Sequence, residues 1–229
     1  MSVPDIRSFT VGPVQENSYI VRADSGSRSA VMVDPGDEPQ RLLDAVEALG
    51  VEIEAILITH CHFDHIGAVA SVARATGAPV YCPQIERPVL AEVMRWVPPG
   101  FGPFESYEAD HTLTGGERLS LAGLDIEVLF TPGHSPGHLT YAIPGALLSG
   151  DVLFQGSVGR VDLPGGDWPT LERSIGALLG RFPGETVVYP GHMGVTTLQR
   201  ERDTNPFLAE LRERVPAAAP AAGPRAPAR

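Results

Sequence analysis

An α+β fold of two similar halves, with two sheets packed together and helices outside, is what this chain of 229 residues predicts. Three observations carry the prediction. Strand-like runs followed by a helix-like run occur twice along the chain. Glycine, proline, asparagine and serine separate the runs, and 43% of the residues are hydrophobic, which suffices for one sizeable core.

The strands come first. Ile6 to Val11, Ser18 to Arg22 and Ala30 to Asp34 are short apolar or alternating runs that suggest a meander. Leu42, Leu43, Val46 and Leu49 then recur at helical spacing between Pro39 and Gly50, the glycine standing as a stop. A strand over Ile53 to Ile58 leads into a helix from about His65 to Thr76, closed by Gly77, with Asp64 at the position of an N-cap. In the second half Pro79 to Cys82 is strand-like and Glu86 to Val97 helical. Arg118 to Phe130 forms two strands about Ala122-Gly123, and Leu139 to Ile143 pairs with Ala146 to Leu148 about Pro144-Gly145. A helix over Pro169 to Phe182, a strand over Thr186 to Tyr189 and a helix over Pro206 to Val215 complete a domain of residues 1–215. Residues 216–229 are rich in Pro, Ala, Gly and Arg with nothing to bury, and are expected to be disordered.

Composition excludes several classes. The net charge of -11 repels polyanions and no arginine cluster offsets it, so nucleic acid and anionic membranes are poor partners. No apolar run reaches the roughly 18 to 20 residues of a membrane span, and Met1 to Arg7 lacks the pattern of a secretory signal, which predicts a cytoplasmic protein. Cys61 and Cys82 are too few for a disulfide framework. All 17 basic residues are arginine, so lysine chemistry is out of the question.

The chemistry is concentrated after the strand Ala55 to Ile58. There His60, His62, Asp64 and His65 crowd into six positions, a set of lone pairs that is costly to desolvate without a cation to share. Three further candidates follow strand-like runs beside glycine: His134 after Pro132-Gly133, Asp151 after Ser149-Gly150, and His192 after Pro190-Gly191. Strand ends on one rim of a sheet would bring all seven together.

This pattern, His60-x-His62-x-Asp64-His65 with His134, Asp151 and His192, resembles the full ligand set of the metallo-β-lactamase superfamily. Within that superfamily it is similar to the short bacterial form of glyoxalase II, the hydroxyacylglutathione hydrolase. The resemblance covers about residues 5 to 215 and implies a four-layer αββα sandwich. It also implies two divalent metal ions, zinc in the first place, with iron or manganese compatible with the same donors. His60, His62 and His134 would hold one ion and Asp64, His65 and His192 the other. Asp151 would bridge them, and Asp64 and Asp151 count as the catalytic carboxylates. Two such ions can lower the pKa of a shared water from about 15.7 towards about 7, and the expected reaction is attack of that bridging hydroxide on a small-thiol thioester. Aspartate at 151, where secreted β-lactam hydrolases place cysteine, argues against antibiotic hydrolysis.

The stretch Gly150 to Asp167 resembles the matching loop of the short glyoxalase II group, and Arg160 is its candidate for gripping a substrate carboxylate. A mononuclear iron persulfide dioxygenase acting on glutathione persulfide, with iron on His60, His134 and Asp151, has the same donors and stays open. Oligomeric state is not legible.

The remaining candidates carry two readings each. His138 could replace His134 as a ligand, but the resemblance leaves it behind the site. Asp34 could orient a ligand imidazole or simply start the turn before Pro35-Gly36. Cys61 should point away from its flanking histidines as an inert buried thiol, with Cys82 in strand core and His111 merely solvated. Trp96, Phe101 and Phe104 could line a substrate lip or pack locally.

Overall fold

The computed structural model describes residues 4–214, so the expected tail at 216–229 lies outside the described residues. The first half runs β1 (Asp5–Val11), β2 (Glu16–Arg22), β3 (Ser29–Val33), α1 (Pro39–Leu49), β4 (Glu52–Leu57), α2 (Phe63–Ile66), α3 (Val69–Thr76), β5 (Val80–Pro83), α4 (Arg87–Ala91) and β6 (His111–Leu113). The second runs β7 (Arg118–Leu121), β8 (Leu124–Phe130), β9 (Leu139–Ile143), β10 (Ala146–Gly150), β11 (Leu153–Phe154), β12 (Ser157–Val158), α5 (Trp168–Arg181), β13 (Val187–Pro190), β14 (Thr196–Thr197), α6 (Leu198–Thr204) and α7 (Ala209–Arg214).

Two six-stranded mixed sheets result, in the order β1-β2-β3-β4-β5-β6 and β14-β13-β10-β9-β8-β7, with β11 and β12 as a separate hairpin. The alternation of side chains along each strand explains the layering. On β2 and β3, Tyr19, Val21, Val31 and Val33 face the space between the sheets, where Leu124, Ile126, Val128, Leu139 and Tyr141 meet them. Ile20, Ala30 and Met32 point the other way, onto Leu42 of α1, Val69 and Val72 of α3 and Leu90 of α4. The second sheet does the same with Leu147 and Val188 against Leu171, Ile175, Leu178 and Leu179 of α5 and Leu198 of α6. The result is helix, sheet, sheet, helix, the predicted four layers. Truncating a residue such as Leu57, fully buried between the sheets, to alanine should cost about 2–5 kcal/mol.

Several boundaries differ from the sequence reading. The helix expected over His65 to Thr76 is two helices, because the Ala68 N–H donates to the Pro35 carbonyl (3.0 Å) and the ladder breaks. The Pro35-Gly36 turn can approach because Gly36 has no side chain: a Cβ there would lie 1.7 Å from the Asp64 carbonyl oxygen. His62, not Asp64, is the N-cap of α2, and Asp64 turns its carboxylate to His192. The expected helix Glu86 to Val97 shrinks to α4 flanked by single turns, broken at Glu92 (φ -135°, ψ 46°). The last helical stretch is a turn at Pro206–Leu208 followed by α7. Strands β6, β11, β12 and β14 and helix α6 were not anticipated, and His111 lies on β6 with its ring against Tyr81.

The topology collects strand ends on one rim. Chain leaving β3, β4, β8, β10 and β13 supplies Asp34, His60, His134, Asp151 and His192 respectively, and β2 begins there at Glu16. The halves are tied at that rim: the Leu139 N–H donates to the Thr59 carbonyl (2.8 Å), and the Asn17 N–H to the Gly191 carbonyl (2.7 Å). The Tyr141 hydroxyl donates to the Ile58 carbonyl (2.7 Å). Among the described residues no helix is long and apolar enough to cross a membrane.

Candidate metal centre

Seven side chains converge on the rim in two groups. In the first, His60 Nε2, His62 Nδ1 and His134 Nε2 lie 2.8 to 3.2 Å from one another. In the second, His192 Nε2 is 3.3 Å and His65 Nε2 3.9 Å from Asp64 Oδ2. Asp151 stands between them, with Oδ1 3.3 Å from His65 Nε2, and Oδ2 3.4 Å from His134 Nε2 and 3.6 Å from His192 Nε2.

Hydrogen bonds on the far side of each ring fix which nitrogen is free. Nδ1 of His65 donates to Asp34 Oδ2 (2.9 Å), Nδ1 of His134 to the Arg160 carbonyl (2.7 Å), and Nδ1 of His192 to the Gln15 carbonyl (3.3 Å). The Thr59 hydroxyl donates to Asp34 Oδ2 (2.6 Å) and is therefore left to accept from Nδ1 of His60 (3.1 Å). In their neutral forms all four carry the proton on Nδ1, and each Nε2 then turns a lone pair inward. Three nitrogens of the first group then face one another with at most the single proton of His62 between them. For tetrahedral zinc at about 2.05 Å, ligand nitrogens stand about 3.3 Å apart, close to the spacing seen. In the second group His65 Nε2 and Asp151 Oδ1 are buried without a hydrogen-bond partner. A cation at each group would satisfy these atoms, so the donor set fits two metal ions.

Electrostatics divide the same way. Burial, reinforced by the other imidazoles, drives His60 well below its usual range, and burial with His134 beside it brings His62 down to about 4. Both are neutral donors near pH 7. Burial opposes charge on His65, but Asp151, Asp34 and Asp64 outweigh it and raise its pKa well above the ordinary value. Burial likewise opposes ionisation of Asp151, and His65, His134 and His192 overcome it, holding the carboxyl far below the usual range. The second group thus holds a proton when metal-free and must release it to bind a cation.

Close approach is built into the rim. A Cβ on Gly191 would lie 2.2 Å from Asp151 Oδ1 and 2.6 Å from His65 Cε1, so only glycine fits before His192. Asp34 is held at φ 47°, a conformation costing about 1 kcal/mol or more, while its carboxylate accepts from the Thr59 N–H (2.7 Å), the Thr59 hydroxyl and His65. The orienting reading of Asp34 is the one this geometry matches. His138 does not turn into the cluster: its Nε2 accepts the Asp151 N–H (3.0 Å), and its Nδ1 meets the Thr131 hydroxyl (3.2 Å).

Arg160 departs from expectation. Its guanidinium is 62% exposed and donates to both oxygens of Asp162 (2.7 Å each), and its carbonyl, not its charge, reaches the site through His134. A two-residue spacing on an exposed loop makes that local pair easier to form than a reach toward the cluster. Phe101 and Phe104 pack on Phe63, with ring centroids 4.7 and 6.0 Å away, and line a cavity of about 500 Å³ with Pro13, Asp37 and Gly67. Trp96 is 57% exposed. Cys61 is buried with its Sγ 3.5 Å from that of Cys82. Two buried carboxylates close to the site, Glu16 and Glu86, escaped the sequence reading. The polar run Gln15 to Ser18 opening a strand was a signal for Glu16, whereas the partners of Glu86 are 25 to 51 residues away and leave no local trace.

The profile described as "Metallo-beta-lactamase superfamily" matches residues 11–192. A relative from Bacillus subtilis (strain 168), "Probable metallo-hydrolase YqgX", is 40% identical over 209 residues, 88% of this chain and 96% of the relative. "Hydroxyacylglutathione hydrolase GloC" of Haemophilus influenzae is 32% identical over 89% of this chain and 98% of its own length. Among solved structures, the BLEG-1 B3 metallo-beta-lactamase superposes with a TM-score of 0.83 at 38% identity, covering 90% of this chain and all (100%) of that one. TTHA1623 in a di-iron-bound form superposes with a TM-score of 0.71 at 42% identity, covering 88% and 100%.

Proposed function

The chain belongs to the metallo-beta-lactamase superfamily of metal-dependent hydrolases, and from that premise we propose that it cleaves thioesters of a small thiol in the manner of glyoxalase II. The observation that carries the proposal is the division of seven thiolate-free donors into two groups with Asp151 facing both. The relative named as a hydroxyacylglutathione hydrolase supports the substrate class.

His60, His62 and His134 would hold one divalent cation, and Asp64, His65 and His192 the other, with Asp151 reaching both. Bound there, the pair would supply Lewis acidity, lowering the pKa of a water towards about 7 and polarising a carbonyl. The protein's part is orientation. Asp34, Thr59 and the carbonyls of Gln15 and Arg160 keep the imidazoles of His65, His60, His192 and His134 turned inward, and His138 fixes the backbone of Asp151. Asp64 is the more exposed of the two carboxylates and the one from which a proton can pass to solvent. In the net reaction water adds to the carbonyl carbon, the C–S bond breaks, and the thiol leaves with a proton. Zinc is the favoured cation, although the di-iron neighbour makes iron a direct competitor. Arg160 would release Asp162 to meet a substrate carboxylate. The net charge of -11 favours such a small substrate over nucleic acid, and a cytoplasmic setting suits a thiol carrier.

Turnover of S-lactoylglutathione, of thioesters of other low-molecular-weight thiols and of a β-lactam, each with and without chelator, tests the proposal. Chelator-sensitive thioester hydrolysis well above β-lactam hydrolysis is expected. A β-lactam cleaved faster than every thioester would overturn it.

A further inference from the structure

Glu86 ends the turn that follows β5, is 5% exposed and ligates nothing, yet it touches both loops that supply the first group. Its Oε2 accepts the N–H of Cys61, the residue between His60 and His62, at 2.5 Å. Its Oε1 accepts the Ser135 hydroxyl (2.5 Å) and the Gly137 N–H (2.9 Å), which lie just beyond His134. One carboxylate therefore links the His60–His62 loop of the first half to the His134 loop of the second.

We propose that Glu86 is a positioning residue that sets the spacing of the three imidazoles of the first metal position, a role that rests on the two-metal reading above. A carboxylate suits this task because it only accepts, and all three partners donate. Buried as it is, no solvent stands ready to replace it, and loss of one arm strands a donor. Asp34 backs His65 of the second group directly and reaches the first only through Thr59 and His60, whereas Glu86 joins the two loops of the first. Glutamine is nearly isosteric but must turn its NH2 toward one of these donors, which detaches one loop from the other.

The test uses the full chain and zinc alone. A His192→Ala background isolates the first position and a His62→Ala background the second, with zinc affinity read by chelator competition. Glu86→Gln should weaken the first position roughly 10- to 100-fold and leave the second within about twofold. Ser135→Ala, which removes one arm, should weaken the first position about threefold. Cobalt loaded into the first position should show shifted d–d bands in Glu86→Gln, because donor geometry changes. Unchanged first-position affinity in both variants, or equal losses at both positions that track a lower unfolding midpoint, would overturn the proposal. If Glu86→Gln does not fold, Ser135→Ala decides alone. Failure of the hydrolase reading would appear separately, as no thioester turnover by wild-type protein that binds zinc normally.

Discussion

Replacing Asp34 with asparagine separates orientation from ligation, because Asp34 lies behind the second group and holds His65 in place. Asparagine tolerates the left-handed backbone at φ 47°, so the turn should survive. The side-chain oxygen can still accept the Thr59 N–H, but the NH2 then faces the Thr59 hydroxyl and the Nδ1–H of His65, formerly at 2.6 and 2.9 Å from Oδ2. His65 can relieve the clash only by moving its proton to Nε2, the nitrogen that faces Asp64 and Asp151. Second-position affinity should fall about 10- to 100-fold, or about 1.4 to 2.7 kcal/mol. A stranded buried donor costs about 1–3 kcal/mol, which in a chain of this size lowers the unfolding midpoint of metal-free protein by about 2 to 12 °C. Zinc competition in the His62→Ala and His192→Ala backgrounds and thermal unfolding measure both. Because the Thr59 hydroxyl also ties Asp34 to His60, a smaller loss at the first position is expected, and an unaltered second position would refute the argument that Asp34 acts through His65.

Four further outcomes follow. Asp151→Ala should reduce metal content at both positions, and full two-metal loading of the variant by elemental analysis would remove it from between them. Gly191→Ala forces a Cβ against Asp151 and His65 and should lower thioester turnover at least tenfold, with a stability loss of about 1–3 kcal/mol; wild-type kinetics would show that the rim yields. Arg160→Ala keeps the carbonyl that holds His134, so metal content should stay constant while KM for an anionic thioester rises severalfold and kcat holds; an unchanged KM would remove Arg160 from substrate binding. In metal-free protein, burial depresses His62 to about 4, so its contribution to stability is complete above the unfolded value of about 6.5 and is lost as pH falls towards 4. His62→Ala should therefore flatten the decline in stability across that window, and identical denaturation curves for variant and wild type would contradict it.

How much of this was legible in the sequence depended on how local each signal is. Apart from the short edge strands β6 and β14, the strands of both sheets and helices α1 and α5 carry apolar periodicity within a few residues and were found nearly to their ends. Helix α6 was not found because it buries Leu198, Glu201 and Arg202, with no apolar stripe to betray it, and β6 because it is three residues long with His111 and Thr112 exposed. The break between α2 and α3 was invisible for another reason: it depends on Pro35 and Gly36, some thirty residues upstream. The site divides along the same line. Metal donors crowded beside strand ends announce themselves, whereas Gln15 and Glu86 act through backbone groups and distant partners. Arg160 was identified for its charge, while the structure uses its carbonyl.

The most direct test of the account is a metal titration. Protein stripped by chelator is reloaded stepwise with zinc while bound metal and thioester hydrolysis are measured on the same sample. The account predicts that activity rises to a plateau at two equivalents per chain, with anomalous scattering placing one ion at His60, His62 and His134 and one at Asp64, His65 and His192. Full activity at a single equivalent, or a single iron that supports oxygen uptake in place of thioester cleavage, would contradict it.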